Sequence, residues 1–115
     1  MNAVVKELDR IRRYCAKPGW NGYGAHEISI PSWDNAKRLA ETVFATMPPH
    51  HVGIDNLTGH VSFQWGDLRR RSLTLYIGTN VEDAVSCLNG VAGQFSRRAV
   101  RVDAPELLRE VEACR

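Results

Sequence analysis

His60-Val-Ser-Phe-Gln-Trp65 and Ser72-Leu-Thr-Leu-Tyr-Ile-Gly78 decide how this chain folds. In both, apolar residues recur at every second position, the period of a strand with one face buried. Val61, Phe63 and Trp65 point one way; His60, Ser62 and Gln64 point the other. Leu73, Leu75 and Ile77 alternate in the same manner with Thr74 and Tyr76. Just upstream, Val52 and Ile54 make a shorter strand. A four-residue loop, Asn56-Leu57-Thr58-Gly59, sets Asp55 opposite His60, Ile54 opposite Val61 and Val52 opposite Phe63. Pairing Phe63 with Leu75 then brings Val61 to Ile77 and Trp65 to Leu73. Every apolar residue of the three strands lands on one face, and a slip of one residue would send the whole set into water.

After Gly78-Thr79-Asn80 the alternation weakens. A fourth strand over Ala84–Leu88 puts Val85 and Cys87 on the same face, and Asn89-Gly90 reads as a two-residue hairpin turn. Val91–Phe95 and Ala99–Val102 each offer an edge strand with poor alternation, and both together are not expected. On the other side of the strands the period is helical. Val4, Leu8, Ile11 and Cys15 form one stripe of a helix over residues 2–15, which Pro18-Gly19 stops. A second helix is expected from Pro31 to Met47, with Ser29 or Ser32 as its cap and Ala36, Leu39, Ala40, Val43, Phe44 and Met47 on its buried face. Pro48-Pro49 closes it. The last helix runs over Ala104–Cys114, capped by Asp103 with Glu106 completing a capping box, and carries Leu107, Leu108, Val111 and Cys114 inward. The expected fold is therefore α+β: two N-terminal helices, an antiparallel meander sheet of four to five strands, and a C-terminal helix. The helices cover one face of the sheet in two layers, as a single domain over residues 1–115.

Composition agrees. The 115 residues carry 15 Lys and Arg against 13 Asp and Glu, a formal net charge of +2, and 43% of them are hydrophobic. That is enough apolar material for one core, and too little charge for a strong nucleic-acid footprint. Charges arrive by Lys6 and Glu7, before a signal-peptide core can form, and nowhere are there about 18 uncharged apolar residues in a row. A cytoplasmic location with no membrane partner is the expectation. Cys15, Cys87 and Cys114 are odd in number and widely spaced, and no Cys-x-x-Cys pair begins a zinc or redox site; they read as small buried apolar residues.

Pro18-Gly-Trp-Asn-Gly-Tyr-Gly-Ala25 stands out, with three glycines in six residues and Trp20 and Tyr23 between them. Such a loop can present an aromatic platform to a partner's side chain, a base or a sugar. It can equally be a tight interhelical connection whose Trp plugs the edge of the core. The glycines match no phosphate-cradling pattern. Trp20-Asn-Gly-Tyr-Gly-Ala25 resembles the Trp-(Asp/Asn)-Gly-Tyr-Gly-Ala signature of a group of small bacterial proteins, in which a helix and then a strand ending in an aromatic-Gly pair follow, here Trp65-Gly66. The resemblance covers the first two-thirds of the chain. It implies no activity and carries over no site residue.

Three further groups are candidates. Asp55 beside His60 on the outward side of the first hairpin is a possible metal or acid–base pair, or an ordinary cross-strand contact. Arg69-Arg70-Arg71, in the loop between the second and third strands, and Arg97-Arg98 with Arg101 can grip phosphates or an acidic protein surface, or solubilise loops. The outer sheet face, with His51, His60, Ser62, Gln64, Thr74 and Tyr76, can dock a partner, Tyr76 giving contact area at low entropic cost. No nucleophile elbow, zinc-helix motif or paired catalytic carboxylate occurs, so no cofactor is implied and no enzymatic activity expected. The expectation is a small non-enzymatic domain that binds a protein partner, as a bacterial or phage accessory factor of the inhibitor or antitoxin type. A homodimer is possible. The alternatives are an RNA- or DNA-binding module using the arginines with Trp20 and Tyr23, and a small metal enzyme at His60 and Asp55.

Overall fold

In the computed structural model, which describes residues 2–67, 71–80, 84–89, 95–102 and 104–114 (without the side chains of 84–89 and of 95 and 96), the chain forms eight elements. They are α1 (Ala3–Tyr14), α2 (Ile30–Glu41), β1 (His51–Ile54), β2 (Val61–Gly66), β3 (Ser72–Ile77), β4 (Ala84–Asn89), β5 (Phe95–Val100) and α3 (Pro105–Cys114). The strands make one antiparallel sheet in the order β1-β2-β3-β4-β5. The architecture is α+β, as expected.

The period-2 reading of the first three strands holds residue for residue. Val52 pairs with Phe63 and Ile54 with Val61; Phe63 pairs with Leu75, Val61 with Ile77 and Trp65 with Leu73. All six side chains of β2 and β3 on that face are at most 1% exposed. They share one core with Val4, Val5, Leu8 and Ile11 of α1, Trp33, Ala36, Leu39 and Ala40 of α2, and Leu107, Val111 and Cys114 of α3. Helix α1 lies against β1, α2 against β2 and β3, and α3 against β2 and β3. The helices thus form one layer and the sheet the other.

Asn2 caps α1 by accepting from the Val5 N–H at 2.8 Å. Ser29 caps α2, accepting from the Ser32 N–H at 3.3 Å. Helix α2 stops at Glu41, earlier than the Met47 its sequence predicts. The Thr42 hydroxyl donates to the Arg38 carbonyl at 2.7 Å, and the Phe44 N–H reaches back to the Leu39 carbonyl, which wraps the last turn wide. This lets Phe44 sink out of the helical path onto Trp65, with ring centroids 4.9 Å apart, and onto Phe63 at 6.1 Å. Aromatic packing overrides the helical period here.

The second half of the sheet departs further from expectation. Asn89 pairs with Phe95, so the β4–β5 connection spans 90–94 and is longer than an Asn-Gly two-residue turn; those five residues lie outside the described ones. One edge strand forms, β5, cutting across both candidate segments. Positions 85 and 87 share a register side, opposite Tyr76 and Thr74, which is the side away from the helices. Asp103, the expected cap of α3, lies outside the described residues. No helix among the described residues is long and apolar enough to cross a membrane.

The thiols of Cys15 and Cys114 are free and buried. Burial pushes both above the ordinary thiol range, against a weaker opposing pull from Arg10 on Cys15 and from Arg71 on Cys114. A raised pKa means that the folded protein holds these protons more tightly than the unfolded chain does. Their contribution to stability is therefore full below about pH 8.5 and is lost as pH rises through the folded-state values. In a Cys87→Ser variant at pH 8, the two thiols are expected to react with a disulfide reagent at least about tenfold more slowly than after unfolding in urea. Equal rates would contradict the burial.

Candidate functional site

Fifteen residues, Cys15–Ser29, connect the first two helices, and their backbone bonds gather one end of the molecule. The Gly19 N–H donates to the Ala25 carbonyl at 2.7 Å, closing a small loop. Within it Gly22 and Gly24 both take φ near +80°, a region that glycine enters without strain. Asn21 Oδ1 accepts from the N–H groups of Tyr23, at 2.8 Å, and Ala25, at 3.2 Å. The Trp20 indole N–H donates to the His26 carbonyl at 2.8 Å, and its ring meets Tyr14 edge-on at 6.0 Å. Trp20 is half-buried against the core and holds the loop in place. Tyr23, at the tip, is 92% exposed. The hexapeptide Trp20–Ala25 is thus a self-bonded projection, with the Trp tied inward and the Tyr left free.

Beyond the loop, residues 26–29 form a strap. The Ile28 N–H donates to the Cys15 carbonyl, the His26 N–H to Asn56 and the Ser29 N–H to Gly59, each at 2.8 Å. The strap thereby joins the end of α1 to the β1–β2 turn. That turn is held by Asp55, whose Oδ1 accepts from the Leu57 N–H at 2.9 Å. The large apolar side chains exposed among the described residues are Tyr14 (64%), Tyr23, Ile30 (41%) and Leu57 (84%). All four sit on this loop, this turn or the two helix ends they join. Beside them, Arg12, Arg13, Ala16, Glu27, Ile28 and Ile30 line an open groove.

The other candidates are dispersed. Asp55 pairs with His60 across the turn through the backbone, the Asp55 N–H donating to the His60 carbonyl at 2.8 Å. The Asp55 carboxylate is engaged by the turn, and among the described residues no three His, Cys, Asp or Glu come together as a metal would need. Arg97 and Arg98, adjacent in sequence, part to opposite sides of β5. The Arg97 guanidinium lies 5.9 Å from the Tyr76 ring on the outer face, whereas Arg98 bonds Glu110 of α3 on the helix side. Arg71 is exposed at the start of β3, with its guanidinium at the Cys114 thiol. Arg69 and Arg70 lie outside the described residues. On the outer face, Ser62, Gln64, Thr74 and Tyr76 are half-buried by their strand neighbours.

Tyr14, Ile30, Leu57, Arg12 and Arg13 were not legible as site residues. Tyr14 and Ile30 stand at helix ends and Leu57 in a turn, so no periodicity marks them, and only the strap brings them together. No family model matches the chain, and no curated protein or solved structure matches it.

Proposed function

We propose that this chain is a non-enzymatic protein-binding domain that docks its partner through the end built from Tyr14, Tyr23, Ile30 and Leu57. One observation carries this reading: the exposed large apolar side chains of the described residues are gathered at that end. Single exposed apolar residues are ordinary on any surface, whereas a group rimmed by polar residues is the mark of an interface. Tyr23 has the features of an anchor, a rigid amphipathic ring on a loop already closed by its own hydrogen bonds, so little entropy is lost on docking. A domain of this size acts by covering a partner's surface, in the manner of an inhibitor or antitoxin among bacterial or phage accessory factors. Nucleic-acid binding is less well supported, because Arg97 and Arg98 part to opposite sides of β5 and form no stripe with Arg71 that could track a phosphate backbone.

The test places a photo-crosslinking amino acid at position 23 or 57 in the chain in its native cell, with position 74 on the outer sheet face as the control. A discrete crosslinked protein is expected from 23 and 57, resistant to nuclease and abolished by Ile30→Asp. An equal crosslink from position 74, or loss of the product on nuclease treatment, overturns the reading. Tyr23→Ala is expected to change folding stability by no more than about 0.5 kcal/mol, since the side chain touches little of the core. The same change should weaken partner binding at least about tenfold.

A further inference from the structure

Trp33 of α2 is only 5% exposed, and its indole N–H donates to the Leu8 carbonyl of α1 at 2.8 Å, so the ring is held rigidly. Two cations lie over it. The Arg12 guanidinium carbon is 4.5 Å from the ring centroid and the Lys37 ammonium 5.2 Å. Stacking on an aromatic face orients a guanidinium while leaving its in-plane N–H groups pointing outward. Among the described residues, Arg12, Arg13 and Lys37 have no carboxylate within ion-pair distance; Asp9 and Asp34, one turn away along the same helices, lie beyond it. Two like charges, Arg12 and Lys37, are thus brought to one ring without a directly paired carboxylate, an arrangement that an incoming anion relieves.

Arg12 and Arg13 also form one wall of the groove whose apolar lining is Ala16, Ile28 and Ile30. Glu27 is the acid on its rim, with one carboxylate oxygen 3.7 Å from His26 Nδ1. An anion here meets planar donors suited to a carboxylate, and beside them an apolar surface that needs an apolar neighbour. A nucleic-acid backbone carries successive phosphates and needs a track of cations, whereas a single carboxylate needs one seat, which these three cations suit. We propose that Arg12, Arg13 and Lys37 form a seat for an aspartate or glutamate of the partner protein, with the adjoining apolar side chain of that segment lying on Ile30. This inference rests on the docking end assigned above and names the chemistry the end selects.

The test is an NMR titration of the full chain, following the backbone amides together with the Trp33 indole and Arg12 Nε–H signals. The probe is the acidic, apolar peptide acetyl-Leu-Glu-Phe-Asp-Leu-amide, set against its Gln/Asn counterpart, inorganic phosphate and a short single-stranded oligonucleotide. The acidic peptide is expected to produce saturable shifts at Trp33, Arg12, Ile28 and Ile30, with affinity at least about tenfold above its neutral counterpart. Arg13→Gln and Lys37→Gln, which leave the core intact, should each weaken it severalfold, and Arg12→Lys should retain part of it. The absence of saturable shifts up to millimolar peptide overturns the proposal. Saturation of the same signals by phosphate or the oligonucleotide at equal or lower concentration also overturns it, in favour of a phosphate ligand. If position 23 still crosslinks a protein while the peptide leaves these signals unmoved, the docking end stands and the anion seat falls.

Discussion

Ser32→Ala is expected to destabilise the protein by about 2–5 kcal/mol, a large part of the roughly 5–15 kcal/mol that holds a domain of this size together. Ser32 stands in the first turn of α2, yet its hydroxyl is fully buried and bridges two strands. It donates to the Ile77 carbonyl of β3 and accepts from the Val61 N–H of β2 at 2.8 Å. Those two residues are register partners, so one hydroxyl closes the end of the β2–β3 ladder and fastens α2 onto it. Alanine takes from each of these buried backbone groups the partner that the hydroxyl supplies, and a group left orphaned costs about 1–3 kcal/mol. Ser29→Ala, which removes only the helix cap, is expected to cost about 1 kcal/mol. Urea unfolding of the two variants decides the matter: equal losses, or a larger loss for Ser29→Ala, would mean that the bridge contributes nothing.

Gly59→Ala should cost at least about 3 kcal/mol and disable the docking end with it. Gly59 has φ +76°, and a Cβ there would sit 2.1 Å from the Glu27 carbonyl oxygen and 2.9 Å from His26 Nδ1. The left-handed backbone alone costs a non-glycine residue about 1–2 kcal/mol. The rest comes from pushing the strap away from the β1–β2 turn, because a carbonyl oxygen cannot yield as a flexible side-chain end can. Gly22 separates the two effects. It has φ +79° with nothing within 4 Å, so Gly22→Ala should pay only the backbone penalty. A Gly59→Ala variant no less stable than Gly22→Ala would refute the close approach. Crosslinking from position 23 should fall sharply in Gly59→Ala and persist in Gly22→Ala.

Both variants probe contacts that the primary structure does not announce. Ser32 looks like a second possible cap, and its spacing from Ser29 suits that role; only the sheet beneath α2 turns its hydroxyl into a bridge. Trp33 and Lys37 are one turn apart, so their meeting could be anticipated from helical geometry. Arg12 reaches the same ring from another helix, which no spacing reveals. The Asn89-Gly90 dipeptide favours a tight turn, but the register of β4 with β5 sets Asn89 against Phe95 and overrides that local preference.

What could be read from the residues alone is the α+β class and the pairing of the first three strands. A period of two leaves a single register that hides Val61, Phe63, Trp65, Leu73, Leu75 and Ile77 together, so local pattern and global burial demand the same answer. What only the tertiary structure decided is where helix α2 ends, which way Arg97 and Arg98 face, and that Tyr14, Tyr23, Ile30 and Leu57 share one end. The last of these depends on bonds between segments about thirty residues apart, from His26 to Asn56 and from Ser29 to Gly59. Hydrophobic periodicity carries no record of such bonds, because they join backbone groups that every residue possesses.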